Sequence, residues 1–252
     1  MTLTVTEAAA TYVNAMRNVL PAGPGVCDVC HTFIDPGYSR CYACSSQPSP
    51  LDVVVPITYS EHLSQMHKVL RSYKDGDHAS QRYMMPRLAS ILWLFLESHE
   101  VHVAAAVNAQ QSQFDIVTSV PSSTPDGDER RANLRWIVGL GCHPTAQRYE
   151  RVLHPTGGVA AGREFNEGRY VATVDVVGKD VLLIDDTWTR GGHAQSAGAA
   201  LKAAGARTVG FVVIGRHISP GWRPRPPDGP TSAELLAGLP RGYSWDTCCL
   251  ER

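Results

Sequence analysis

The sequence predicts an α/β protein: a parallel sheet flanked by helices, with a small metal-binding module near the N-terminus. Three observations carry this. Apolar runs of strand length alternate with helical patterns, an order that implies a parallel sheet. One such run, Val181, Leu182, Leu183 and Ile184, leads through Asp185 and Asp186 and a loop with Gly191 and Gly192 into an Ala-rich helix. Two Cys-x-x-Cys pairs, Cys27 with Cys30 and Cys41 with Cys44, lie upstream.

The chain has 252 residues, enough for one large or two small domains. Its hydrophobic content of 43% is that of an ordinary globular protein. A net charge of −1 provides no global field for nucleic acid or anionic membrane. No apolar run approaches the roughly 20 residues a bilayer requires. The N-terminus has no basic region followed by an apolar core, so no signal peptide is read. The expected location is the cytoplasm.

Ala9, Tyr12, Val13, Met16, Val19 and Leu20 recur on one helical face, predicting a packing helix over residues 6–20 with Thr6 as its cap. The cysteine pairs follow. Each hairpin offers two thiolates to one metal, and two pairs complete a tetrahedral shell. Pro36 and Gly37 turn the chain between them. In a reducing compartment this spacing favours zinc over disulfides, with redox-active pairs the alternative. A full four-sulfur shell leaves no position for substrate, so the site is structural. His31 is then a supporting or exposed residue, not a ligand.

Further along, strands are predicted over residues 51–59, 114–121, 170–176 and 206–214, besides the central one at 181–184. Helices are predicted from Ser60 to about residue 73, over 79–107 with a break near Ser98, over 132–140, and over 232–238. Composition divides the chain into residues 1–50, helix and cysteine module; 51–218, the sheet domain; and 219–252, a Pro-rich tail. Cys142 beside His143 lacks a flanking motif for a nucleophile. His99 and His102, three apart on a helix, show no third partner, so they read as surface or satisfied histidines. Cys248 and Cys249 cannot easily share one metal and read as buried or incidental.

The chemistry concentrates at Asp185 and Asp186. In open α/β sheets ligands sit at the carboxyl ends of strands. A loop entering a helix offers free N–H groups and partial positive charge to a phosphate. Adjacent carboxylates suit sugar hydroxyls, or a metal held through water. The segment therefore has the parts of a sugar-phosphate site.

These residues resemble the motif with which type I phosphoribosyltransferases bind phosphoribosyl pyrophosphate (PRPP). Asp185, Asp186, Thr189, Gly191 and Gly192 agree with it, while Arg190 and His193 replace two threonines that hold the 5-phosphate. The order of parts resembles the ComF competence-protein family, which joins a four-cysteine zinc module to such a domain. Lys74-Asp75-Gly76, the Asp115 to Pro121 strand, Arg130 and Arg131, and the run of Arg151, Thr156, Arg163, Asn166 and Tyr170 are similar to family segments in the same order. The family's Gln after the Thr is absent, with Val159 nearby, and its Arg-Gly-Phe-Asn-Gln segment survives only as Arg131-Ala132-Asn133-Leu134.

The resemblance implies that Asp185 and Asp186 hold the ribose hydroxyls at the reacting centre. It implies that Thr189 and the N–H groups of Arg190, Gly191, Gly192 and His193 hold the 5-phosphate. Ser119 to Ser122 would approach the pyrophosphate, bridged by Mg²⁺, and Arg130, Arg131 or Arg163 would add positive charge. Two functions follow: transfer of a phosphoribosyl group to an unread nucleophile, or a catalytically silent protein of DNA uptake and processing that works through single-stranded DNA or protein partners.

Overall fold

In the computed structural model, residues 3–124, 127–128, 132–158, 162–225 and 228–251 are described. The central sheet has four strands: β1 (Val53–Glu61), β2 (Ile116–Ser119), β5 (Asp180–Trp188) and β6 (Thr208–Ile218). Their order is β1-β6-β5-β2, and every neighbouring pair is parallel. β3 (Leu153–Pro155) and β4 (Tyr170–Ala172) form a separate antiparallel pair. Residues 170–176 therefore do not join the main sheet. Only three of them pair, and the chain leaves the ladder before Gly178 turns into β5.

The strands are apolar on both faces, as a sheet covered on both sides requires. Alternation sorts the residues. Val55, Ile57, Leu182, Ile184, Val212 and Ile214 pack into one core, while Val54, Val181, Leu183, Val209, Phe211 and Val213 pack into the other. The first core lies under the helices α3 (Gln65–Asp75) and α4 (His78–Ala106). The second takes the helix α7 (Gly192–Ala203) and Cys27, Cys30 and Cys44.

The N-terminal helix is shorter than the periodicity predicts. It is α1 (Val5–Ala10), capped by Thr4 with Glu7 completing a capping box, not by Thr6. A single 3₁₀ turn follows over Val13–Ala15, and the backbone is extended at Met16. The competing interaction is the edge of β1. Arg17 donates its N–H to Oγ1 of Thr58 at 2.8 Å, and Asn18 bridges to Thr58. Pro56 is tolerated in β1 because that strand pairs with only one other strand of the sheet.

A four-residue helical turn, α2 (Tyr42–Ser45), carries the last cysteine of the knuckle. α3 is capped by Ser64, whose side chain accepts from the N–H of His67; the cap lies four residues beyond Ser60 because β1 continues through Glu61. α4 runs unbroken past Ser98. Its 29 residues bury Leu88, Ile91, Leu92, Phe95, Leu96 and Val103, and that packing holds it together. Pro86 sits in its early part, and Ser90 donates back to the Pro86 carbonyl at 2.8 Å. The stretch 132–141 is helical but changes pitch, from α5 (Ala132–Trp136) to a π-turn over Ile137–Gly141. α6 (His143–Ala146) follows, and α8 (Ser232–Ala237) lies in the tail. Tail residues Tyr243, Cys248 and Cys249 share the first core with Ala9, Met16, Leu92 and Phe95. Among the described residues no helix is long and apolar enough to cross a membrane.

Candidate functional site

β5 continues through the acid pair. Thr187 and Trp188 stay in register with Gly215 and Arg216 of β6, so the strand ends at Trp188, not at Ile184. Thr189 and Arg190 form an exposed turn, and α7 starts at Gly192. Gly191 caps it at φ +84, and a Cβ there would lie 2.1 Å from the Trp188 ring. A Cβ on Gly192 would meet the Arg163 carbonyl at 2.2 Å. Both glycines are therefore required by close approach, Gly191 also by its left-handed backbone.

This turn, the ends of β5 and β6, and α3 enclose a cavity of about 510 Å³. Asp185, Asp186, Thr189, Arg190, Gly191, Gly192, His193 and Arg163 all line it. The structure thus brings eight of the predicted residues together. Ser119 and Ser122 are not on that wall. Ser119 is buried at the end of β2, with Oγ 3.1 Å from the Tyr149 hydroxyl. The Ser122 N–H donates to buried Asp128, which also pairs with Arg135 and Arg151. That carboxylate ties Ser122 to Arg135 and Arg151. Arg130 and Arg131 lie outside the described residues.

Asp185 and Asp186 are both buried. Oδ1 of Asp185 accepts the N–H of Asp186 at 2.9 Å. Asp186 accepts from the Tyr73 hydroxyl at 2.5 Å and forms an ion pair with Lys74. A buried carboxylate needs such a partner, since removal from water costs several kcal/mol per ion. Arg190 pairs with Glu164 at 3.2 Å, both side chains well exposed. Nδ1 of His193 lies 2.7 Å from the Tyr170 hydroxyl, which itself donates to the Pro121 carbonyl. That hydroxyl has one proton, so His193 is the donor between them.

Lys74, Tyr73 and Tyr170 were not among the predicted ligand residues. Lys74 had a signal in the Lys-Asp-Gly turn, and Tyr170 in the family-like run. His62, His67 and His217 form a further wall, with ring centroids 4.7–5.8 Å apart. Burial and the neighbouring His67 and Arg216 push His217 down to about 4, so it is neutral at pH 7. Burial also lowers His67. Trp188 is 2% exposed and packs on Phe211, so it acts as a floor beneath the loop. A larger cleft of about 950 Å³ lies on the other side of Arg190, between the cysteine knuckle and the tail residues Trp222 and Pro224.

The knuckle gathers Cys27, Cys30, Cys41 and Cys44 with all four sulfurs within 4.8 Å of one another, a group that can hold a metal ion. Cys30 and Cys41 Sγ are 3.7 Å apart. Two sulfurs on one tetrahedral zinc, each about 2.3 Å from it, would be about 3.8 Å apart. No disulfide joins any of the four. Hydrogen bonds from Cys27, Cys41 and Cys44, with Arg216 alongside, hold the Cys30 thiol well below its ordinary range. His31 is buried and bonds the Leu20 carbonyl through Nδ1 at 2.9 Å, outside the sulfur group. Cys142 is buried and its thiol is pushed up to about 11 by that burial, which suits packing and not nucleophilic attack.

No family model matches the chain, and no curated protein matches it. Among solved structures it is similar to one described as the allosteric regulatory enzyme of purine biosynthesis, at 23% identity and a TM-score of 0.27. That match covers 49% of this chain and 26% of the other, so it spans about a quarter of that protein's length. At this level the likeness carries no inference about function.

Proposed function

We propose that the protein binds PRPP in the cavity at the end of β5, as a ComF-like relative of the type I phosphoribosyltransferases. One observation carries the reading: two adjacent buried carboxylates open directly onto a glycine-capped helix N-terminus, in a cavity that also holds Lys74 and Arg163. Asp185 and Asp186 accept from the ribose hydroxyls. Thr189 and the backbone N–H groups of residues 190–193 take the 5-phosphate, with Arg190 exchanging Glu164 for it. Lys74 and Arg163 face the departing charge. In the transfer, the C1–O bond to pyrophosphate breaks and its electron pair leaves with pyrophosphate. A nucleophile's lone pair forms the new bond to C1, and its proton passes to solvent.

Mg²⁺ is the cofactor of this reading; it supplies charge neutralisation at the pyrophosphate, and the carboxylates of Asp185 and Asp186 are the oxygens that would hold it through water. Zn²⁺ is the metal we assign to the cysteine group. The same reading has the protein at work in the cytoplasm, where thiols stay reduced.

A second reading is a catalytically silent protein of DNA uptake and processing, acting through single-stranded DNA or protein partners. It is favoured by the internal pairing of the site's charges, Asp186 with Lys74 and Arg190 with Glu164. The two are separated by one pair of assays. Pyrophosphate release from PRPP, screened over nucleobases and amines, supports the transferase. No release with any acceptor, together with salt-dependent binding of single-stranded DNA, supports the second.

A further inference from the structure

We propose that the protein has a second metal site, formed by His99, His102, Cys248 and Glu251, which takes a zinc-like divalent cation. His99 and His102 are three apart on α4 and so share a helix face. The C-terminal segment folds back across that face and brings Cys248 and Glu251 to it. The four candidate ligand atoms all lie within 4.8 Å of one another.

The spacings match a tetrahedral shell. Zinc bonds of about 2.0–2.1 Å to nitrogen and about 2.3 Å to sulfur place two nitrogens about 3.3 Å apart and a nitrogen and sulfur about 3.6 Å apart. Nδ1 of His99 and Nδ1 of His102 are separated by 3.3 Å. Sγ of Cys248 is 3.7 Å from Nδ1 of His102. Oε1 of Glu251 is 3.6 Å from Nδ1 of His102 and Oε2 is 3.9 Å from Nδ1 of His99, a few tenths of an ångström beyond the about 3.4 Å of a nitrogen and an oxygen on one zinc, so the exposed carboxylate closes in by that much on binding.

The surroundings orient these atoms as ligands. Nε2 of His99 is 2.9 Å from the Trp245 carbonyl, which can only accept, so Nε2 carries a proton and Nδ1 faces the cluster. Metal-bound histidines usually fix their second nitrogen in this way. The Cys248 N–H donates to Glu251 Oε2 at 2.6 Å and holds the carboxylate toward the histidines. Two imidazoles, a thiolate and a carboxylate carry two negative charges, which a divalent cation cancels. His99 and Cys248 are buried, while His102 and Glu251 reach solvent, giving the ion an entry path.

Four protein ligands leave no position for substrate, so the site is structural. It fastens the tail to α4 next to Tyr243 and Cys249, which cover the first core. It is independent of the PRPP reading.

The test is zinc stoichiometry of the full chain after zinc loading and removal of the excess. Two equivalents are expected, falling to one in the double variant His102→Ala/Cys248→Ser, with Cys249→Ser keeping both. One equivalent in the full chain that persists in the double variant would overturn the proposal, as would two equivalents in both. One equivalent that vanishes in the double variant would support this site and refute the four-cysteine one. Should the double variant fail to fold, cobalt spectra decide with the partly exposed position alone. The His102→Gln chain is expected to lose a set of visible bands that the unaltered chain shows, and identical spectra would overturn the proposal.

Discussion

Arg216 joins the cysteine knuckle to the end of β5: one nitrogen of its guanidinium donates to Cys30 Sγ at 3.3 Å, another to the Trp188 carbonyl at 3.2 Å. Its Nε also donates to the Cys30 carbonyl at 2.9 Å. The residue is 4% exposed. A buried cation is tolerable only beside opposite charge, and here the Cys30 thiol, held well below its ordinary range, provides it. The cysteine knuckle and the loop after β5 therefore share one side chain.

Arg216→Met should loosen both. Removing one member of a buried charge set costs about 3–5 kcal/mol. Zinc release to a chelator and the urea midpoint should both shift. PRPP affinity should fall as well, since the carbonyl at the start of the loop loses its donor. Zinc retention and PRPP affinity equal to those of the unaltered chain would show that the connection has no consequence.

Gly191→Ala tests the loop's packing. The left-handed backbone alone costs about 1–2 kcal/mol, and the clash with Trp188 adds about 1–3 kcal/mol. Gly178, at φ +70 with open space around it, is the control for the backbone part. Urea denaturation should therefore rank Gly191→Ala below Gly178→Ala. Equal losses would mean that the Trp188 ring yields freely.

His217 predicts a pH dependence. Burial holds its folded value near 4, against about 6.5 unfolded. Between those values the unfolded chain binds more protons, so stability rises with pH there and falls as pH drops from about 6.5 toward 4. His217→Gln should remove its share of that slope. NMR titration of His217 near 6.5 in the folded chain would contradict the assignment.

The features legible in the sequence are those that are local. β5, the acid pair, Gly191 and α7 are contiguous, so strand pattern and helix onset could be read along one stretch. The cysteine knuckle is legible because its spacing is itself the geometry. Contacts between distant segments were not legible. Lys74 meets Asp186, and Arg216 meets Cys30, only once β1, β6 and α3 are stacked. His102 and Cys248 are 146 residues apart, so the histidines show no partner in sequence. The early end of α1 has the same cause: its apolar period continues, but Arg17 and Asn18 are taken by Thr58.

We assign Asp185 to a PRPP site. The most direct test is calorimetric titration of PRPP with Mg²⁺ into the full chain and into Asp185→Asn, which unlike Asp186→Asn leaves the Lys74 ion pair in place. A hydrogen bond from a ribose hydroxyl to a charged acceptor contributes about 1.5–3 kcal/mol, so affinity should fall about tenfold to a hundredfold in the folded variant. No binding heat from the unaltered chain, or equal affinity in Asp185→Asn, would contradict the account.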